Sequence, residues 1–230
     1  MSESCLGVLR PANPSFSFSP GKVTVYATNT PNGHKPVILL EELGIDYDVV
    51  YLPLAGEQHD PRFVRLSPAG KIPALVDARG PEPLSLFESG AMLWYLATHE
   101  GRFVPNDARA RAQTHAWLMY QMSTVGPYLG QRVHFLLDAP ERVPYAVQRY
   151  GKIAREIYRV LDTRLGEHEY LDGHGFSVAD IATWPWVRRP EVFEVDTSEF
   201  PHLSRWVEVV GRRPAVGRAM SLFDQPRPAL

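Results

Sequence analysis

Thr30-Pro31-Asn32-Gly33-His34-Lys35 lies where one periodicity of the chain gives way to another, and its reading decides the fold. Upstream, Val23-Thr24-Val25-Tyr26-Ala27 is β-branched and aromatic and runs into polar, turn-forming residues, which predicts a short strand. Downstream, Val37-Ile38-Leu39-Leu40-Glu41-Glu42-Leu43 predicts a helix that Gly44 closes. A strand running into a helix start leaves unpaired N–H groups and the positive end of the helix dipole at the loop. A thiolate, phosphate or carboxylate suits such a place. An ordinary N-cap accounts for Thr30 or Asn32 equally well, so this stretch alone fixes no chemistry.

Two later segments repeat the theme. Gly70-Lys71-Ile72-Pro73-Ala74-Leu75-Val76-Asp77 sets a proline just before a short apolar strand, so Ile72–Pro73 is a candidate cis bond. Such a bond would turn the backbone of Ile72 toward a ligand's own peptide group. Leu84-Ser85-Leu86-Phe87-Glu88-Ser89-Gly90-Ala91-Met92-Leu93-Trp94-Tyr95-Leu96 reads as a strand turning into a helix at Glu88-Ser89. Between these lie a strand over Tyr47–Tyr51 and a short helix from Pro61 to Leu66. The order predicts an α/β layer over residues 22–100, preceded by an extended, Pro/Ser-rich arm over 1–21. Phe16 and Phe18 could dock that arm, which is expected to cross to a partner subunit.

Gly101 to Asn106 reads as a linker, and residues 107–230 read as an all-helical domain. One amphipathic segment runs from Asp107 to about Leu137, interrupted near Gly126-Pro127, and a second from Val143 to Leu165. Ser177-Val178-Ala179-Asp180 is a capping box before Ile181-Ala182-Thr183-Trp184-Pro185-Trp186. Further helices follow from Pro201 to Arg212 and from about Pro214.

Composition narrows the function. A net charge of −2 argues against a nucleic-acid groove, which needs a basic face. No apolar run approaches the ~18 residues of a membrane span, and the first twenty residues do not have the form of a secretory signal, so a cytoplasmic protein is expected. The only cysteine is Cys5, so no internal disulfide, metal-binding cysteine cluster or Cys-x-x-Cys motif can form. Any thiol chemistry must then use a ligand's thiol.

Thr-Pro-Asn-Gly-His-Lys, Lys-Ile-Pro-Ala and Leu-Phe-Glu-Ser-Gly, in this order, resemble the glutathione transferases, and are most similar to the bacterial and fungal Nu class, whose members include disulfide-bond oxidoreductases. The resemblance implies a thioredoxin-like domain followed by a helical-bundle domain, a homodimer, and glutathione, reduced or as its disulfide, as cosubstrate without a metal. It implies thiol activation by Thr30 and Asn32, not by Tyr26 within the strand. It assigns the γ-glutamyl group to Glu88 and Ser89, and the cysteinyl backbone to Ile72 and Pro73. Gln58 becomes a ligand-facing side chain and Lys71 a partner for the glycine carboxylate, although Lys71 also suits a solvated loop. Arg149 occupies the place of an arginine facing a second glutathione, or is an exposed helix residue. His34 and His59 flank the site as solvated or helix-start residues.

Trp117 to His134, with Met119, Tyr120, Tyr128 and Gln131, is either a wall for an electrophile or a core or dimer face. The function implied is glutathione-dependent reduction of small disulfides with low conjugation activity. The alternatives are a non-catalytic glutathione-binding regulatory protein, or a transferase or etherase acting on an unknown electrophile.

Overall fold

The strand expected before Thr30 is present in the computed structural model as β2 (Val23–Ala27), with all five residues buried. The structure describes residues 7–11 and 16–224, so Cys5 lies outside the described residues. After β2 come α1 (Pro31–Leu43), β3 (Tyr47–Tyr51), α2 (Pro61–Leu66), β4 (Ala74–Asp77), β5 (Leu84–Phe87) and α3 (Ser89–Glu100). Gly44 closes α1 in the left-handed region (φ 75°), and the N–H groups of Gly44 and Ile45 both reach Leu40 O. β2 and β3 are parallel, while β4 is antiparallel to both β2 and β5. Together with the helices this is the expected thioredoxin-like α/β layer.

The arm contributes more than an extended leader. Gly7–Pro11 forms β1, which lies parallel to β3 with Gly7 opposite Tyr47 and completes a sheet of order β1-β3-β2-β4-β5. Only glycine fits at Gly7, because a Cβ there would stand 2.2 Å from the Tyr47 ring. Phe16 is buried in this chain's own core with Tyr26, Val50, Leu52 and Phe63, and its carbonyl accepts from Tyr26 Oη at 2.6 Å. The expected crossing of the arm is therefore replaced, over Gly7–Pro11 and Phe16, by pairing within the chain. Edge-strand pairing and an aromatic cluster outweigh the low apolar content of the leader.

Contacts divide the chain into two units, Met1–Glu100 with Arg212–Leu230, and Gly101–Gly211. The last helix, α9 (Pro214–Asp224), thus belongs with the α/β layer, where the sequence places it in the helical domain. Its buried Ala215, Val216, Ala219, Leu222 and Phe223 account for this, reinforced by ion pairs to α1: Arg213 Nε–Glu42 Oε1 and Arg218 Nε–Glu41 Oε2, at 2.6 and 2.7 Å.

The second unit holds α4 (Ala108–Tyr120), α5 (Gly126–Val133), α6 (Pro144–Glu167), α7 (Val178–Val187) and α8 (Pro201–Gly211). The helical path does not break at Gly126-Pro127. A wider π-helical stretch, Gln121–Val125, leads directly into α5, and a second, His134–Asp138, follows it. π-turns absorb the hydrogen bond that Pro127 cannot donate, so the expected interruption becomes a change of pitch. The capping box is formed, with Asp180 buried and accepting from Leu171 N, Ser177 N, Ser177 Oγ and Trp206 Nε1 at 3.0–3.1 Å. No described helix is long and apolar enough to cross a membrane.

Candidate functional site

Strand register brings the three sequence segments together at one end of the sheet. Tyr26 of β2 pairs with Ala74 of β4, and Ala74 pairs with Phe87 of β5. Each strand continues at that end into one motif: β2 into Thr28–Thr30, β5 into Glu88–Ser89, while Pro73 leads into β4. β3 ends beside Ala27, so the loop carrying Gln58 also leaves from this end. Segments far apart in sequence thus meet as one cluster of loop backbone and helix starts, a favourable place for a polar ligand.

At α1, Thr30 is the N-cap with extended backbone, and its Oγ1 accepts from Gly33 N at 3.2 Å. The hydroxyl proton is not consumed by that bond; it points to Thr28 O at 3.5 Å, a long contact that a better acceptor at the helix start can replace. Asn32 sits half-buried in the first turn. Gly33 must be glycine, because a Cβ there would lie 2.3 Å from Thr28 O. His34 is buried, not solvated: its Nε2 pairs with Asn29 Oδ1 at 2.8 Å and its ring lies 4.9 Å from that of Phe223. Asn29 Nδ2 also reaches Phe223 O at 3.4 Å. Tyr26 is buried in the sheet with its hydroxyl given to Phe16 O, and burial pushes its pKa up to about 12. That tyrosine is neither placed nor charged to activate a thiol.

Glu88 adopts the left-handed region (φ 66°) at the head of α3, and its carbonyl accepts from Met92 N at 3.1 Å. Its side chain is exposed while Ser89 is buried. Lys35, to which the sequence assigns no role, has its Nζ 3.2 Å from Ser89 Oγ, and only 1% of the residue is exposed. Burial pulls its pKa down to about 7, and the negative charge of Glu88 opposes that fall. The first turns of α1 and α3 are therefore joined through a buried amine. Among the described residues no group of three or more His, Cys, Asp or Glu side chains is placed to hold a metal ion.

The N-terminal domain of the glutathione S-transferases matches residues 30–99, and their C-terminal domain matches residues 134–214. The chain belongs to the glutathione S-transferase family. Disulfide-bond oxidoreductase YfcG of Escherichia coli (strain K12) is 45% identical to this transferase over 202 residues, which cover 86% of this chain and 94% of that protein. A family member from Pseudomonas fluorescens pf-5, solved with two glutathione bound, superposes with a TM-score of 0.82 at 37% identity, covering 87% of this chain and 93% of that one. Glutathione transferase from Pseudomonas putida, solved with one glutathione disulfide per subunit, gives 0.82 at 34% identity, covering 88% and 92%.

The other expected site residues of this transferase fall in three settings. Ile72–Pro73 is cis, with Pro73 buried and Ile72 packed on the Phe16–Phe63 core. Lys71 has an exposed side chain, while its carbonyl accepts from Ser67 Oγ at 2.7 Å. Gln58 is engaged within its own loop, its Oε1 accepting from Gly56 N at 3.1 Å and its Nε2 lying 3.2 Å from His59 Nε2. His59 is exposed, as expected. Arg149 lies on the exposed face of α6 in the second unit. There Tyr128, Phe135 and Tyr150 form an aromatic group, with Phe135 and Tyr150 stacked at 5.5 Å. Trp117 is half-buried beneath the Arg164 guanidinium, which stands 5.5 Å from its ring.

Sequence reasoning missed Lys35, Asn29 and the Phe223 brace. A signal for Lys35 did exist: it opens the run Lys35-Pro36-Val37-Ile38-Leu39-Leu40, whose neighbours are all core residues. Nothing local pointed to Phe223, which meets His34 from 189 positions later in the chain.

Proposed function

We propose that this transferase is a Nu-class, glutathione-dependent disulfide-bond oxidoreductase that uses the ligand's thiol as its nucleophile. The observation carrying this reading is the convergence of Thr30–Asn32, Ile72–Pro73 and Glu88–Ser89 at one end of the sheet through the Tyr26–Ala74–Phe87 register. Ser89 and the start of α3 bind the γ-glutamyl carboxylate, Glu88 accepts from its amine, and Ile72 pairs through its backbone with the cysteinyl unit. Lys71 and Gln58 complete the grip on the peptide. The sulfur then lies at the start of α1, where the Thr30 hydroxyl, the Asn32 amide and the helix dipole favour its thiolate.

An ordinary thiol titrates near 8.5, so lowering it by ~2 units requires about 2.7 kcal/mol of preference for the anion. Two or three donors at a helix start supply that much. The thiolate attacks one sulfur of the substrate disulfide, the S–S bond breaks, and the departing thiolate takes a proton from solvent. A second glutathione, held by Arg149, attacks the resulting mixed disulfide. Its products are glutathione disulfide and the second substrate thiol. A single cysteine and a reduced cosubstrate suit the cytoplasm. Edge strand β5 has Leu84 and Phe87 41% and 44% exposed, one on each side of the sheet, which supports a homodimer that covers this edge.

Steady-state reduction of a small model disulfide, run beside conjugation of an aromatic halide, tests the reading. Strong reduction with feeble conjugation is expected; the reverse overturns it. In the same assay Asn32→Ala should lower kcat by roughly tenfold or more while leaving the glutathione KM within about threefold. An equal loss in both would move Asn32 from activation to binding.

A further inference from the structure

We propose that Asn29 is a positioning residue for thiol activation: its carboxamide bridges α1 and the end of α9, and so holds the tight turn that aims the Thr30 hydroxyl at the sulfur of glutathione. This rests on the glutathione reading above and deepens it. Thr30 N donates to Thr28 O at 2.7 Å, which closes a three-residue turn with Asn29 at its apex. Asn29 is exposed, yet both polar atoms of its side chain are engaged within the α/β unit. Phe223 lies one residue from the end of α9, where carbonyls run out of helical partners, and its oxygen accepts from Asn29 Nδ2 at 3.4 Å. A carbonyl only accepts, so the amide nitrogen faces it and the amide oxygen is left to accept from His34 Nε2 at 2.8 Å. That ring nitrogen therefore carries a proton. The bond survives charging of the ring, because an imidazolium donates from the same atom.

Both anchors of the bridge are fixed by other means. The His34 ring is buried, lies 4.9 Å from the Phe223 ring and has contacts beyond these. α9 is tied to α1 by the Arg213–Glu42 and Arg218–Glu41 pairs. The turn itself has little room, since a Cβ at Gly33 would stand 2.3 Å from Thr28 O. Thr30 Oγ1 accepts from Gly33 N at 3.2 Å, and its proton points to Thr28 O at 3.5 Å. Where that proton points is thus set by the Thr28 carbonyl, and Asn29 is the residue between the two. Without its side chain the apex of the turn loses its ties to both helices, and the hydroxyl loses the fixed geometry that a thiolate requires. Glu88, Ser89 and Ile72, which grip the rest of glutathione in the reading above, lie on other segments, so affinity is expected to change little.

The test is titration of bound glutathione by the ultraviolet absorbance of its thiolate, with kcat and KM for reduction of a small model disulfide. Wild type, Asn29→Ala, Thr30→Ala and the double variant are compared. Wild type is expected to hold the thiol at about 6.5, below its ordinary value near 8.5. Asn29→Ala should raise it by about half a unit to one unit and lower kcat about two- to fivefold at about pH 6.5, with the glutathione KM within about twofold. At about pH 8.5, where most of the thiol is ionised in both proteins, their kcat values should meet; a merely structural lesion lowers the rate at every pH. Thr30→Ala should raise the thiol pKa at least as far, and adding Asn29→Ala to it should change the value by less than about 0.3 unit, because Asn29 acts through Thr30. Lys35 titrates at about 7 and is common to all these proteins, so the differences report the turn. The buried side of the bridge gives an independent answer. His34→Leu, which has no donor, should match Asn29→Ala, and His34→Gln, whose amide nitrogen stands in for Nε2, should restore most of the loss. An Asn29→Ala protein with the wild-type thiol pKa, or with the same loss of rate at both pH values, overturns the proposal. So does an equal rise on the Thr30→Ala background, which would put Asn29 itself against the sulfur. A wild type that binds glutathione with its thiol pKa unlowered would remove the activation reading, and the proposal with it.

Discussion

Replacing Lys35 by methionine should make the unliganded protein more stable at neutral pH, and the gain should vanish in alkali. Lys35 is 1% exposed, and its pKa falls from 10.5 to about 7 on burial. The folded state therefore holds this proton less tightly than the unfolded chain does. Between pH 7 and 10.5 the unfolded state binds more protons, so stability rises with pH across that window and is flat below it. The full difference is worth about 5 kcal/mol, of which about 4 kcal/mol remains as a penalty at pH 7 and a little over 1 kcal/mol at pH 9.5. Methionine keeps an apolar stem of similar length but forfeits the bond to Ser89, worth about 1 kcal/mol. The net gain at pH 7 is thus about 3 kcal/mol, a rise in Tm of roughly 6–12 °C for a chain of this size.

Denaturant or thermal unfolding of both proteins at one protein concentration, at pH 6, 7, 8.5 and 9.5, measures the gap directly. The expected curve is a plateau below pH 7 and a steady closing above it. A gap unchanged between pH 7 and 9.5, or a Lys35→Met protein less stable than wild type at pH 7, would refute the reasoning. The amine would then be hydrated or paired well enough to carry its charge at no cost.

Two further substitutions probe the rest of the architecture. Gly33→Ala puts a methyl 2.3 Å from the Thr28 carbonyl, so the first turn of α1 must move; we expect a loss of about 1–3 kcal/mol in chemical unfolding and at least tenfold in disulfide reduction. Asp180→Ala strips the acceptor from Leu171 N, both Ser177 donors and Trp206 Nε1; the shift in unfolding midpoint should correspond to about 4 kcal/mol, and a change below 1 kcal/mol would mean water satisfies those donors.

What was legible in the sequence was mostly local. The N-cap at Thr30, the Gly44 stop and the Ser177–Asp180 box involve residues within five positions of one another, and cap chemistry is specific enough to read directly. The role of the leader was not, because β1 is recruited by the open edge of β3 and by a ring that only a glycine at position 7 can approach. Polar composition hides that kind of pairing. The path through Gly126-Pro127 was misread for another reason: proline predicts a break when helices are assumed to have one pitch, and π-turns relax that assumption. Lys35 escaped because a lysine at a helix start reads as solvated, and its burial depends on α3 arriving beside α1.

The same distinction explains why α9 belongs to the glutathione-binding unit. A thiolate held by two or three donors is stabilised only if those donors stay within about half an ångström of the productive geometry. Thr30 caps α1 and Asn32 lies in its first turn, and a helix end frays unless it is tied down. Two acids of α1, Glu41 and Glu42, are clamped by Arg218 and Arg213, the latter through two bonds of 2.6 and 3.0 Å to one carboxylate. At the other end of α1 the Phe223 ring lies against His34, while its carbonyl receives the Asn29 amide just before the turn. α1 is thereby fixed at both ends by one helix, with Lys35 pinned to α3 between them. Two of these supports hold α1 without charge on any ligand, whereas the Lys35 support changes with protonation. The first turn of α1 is therefore held in place whatever the charge on Lys35.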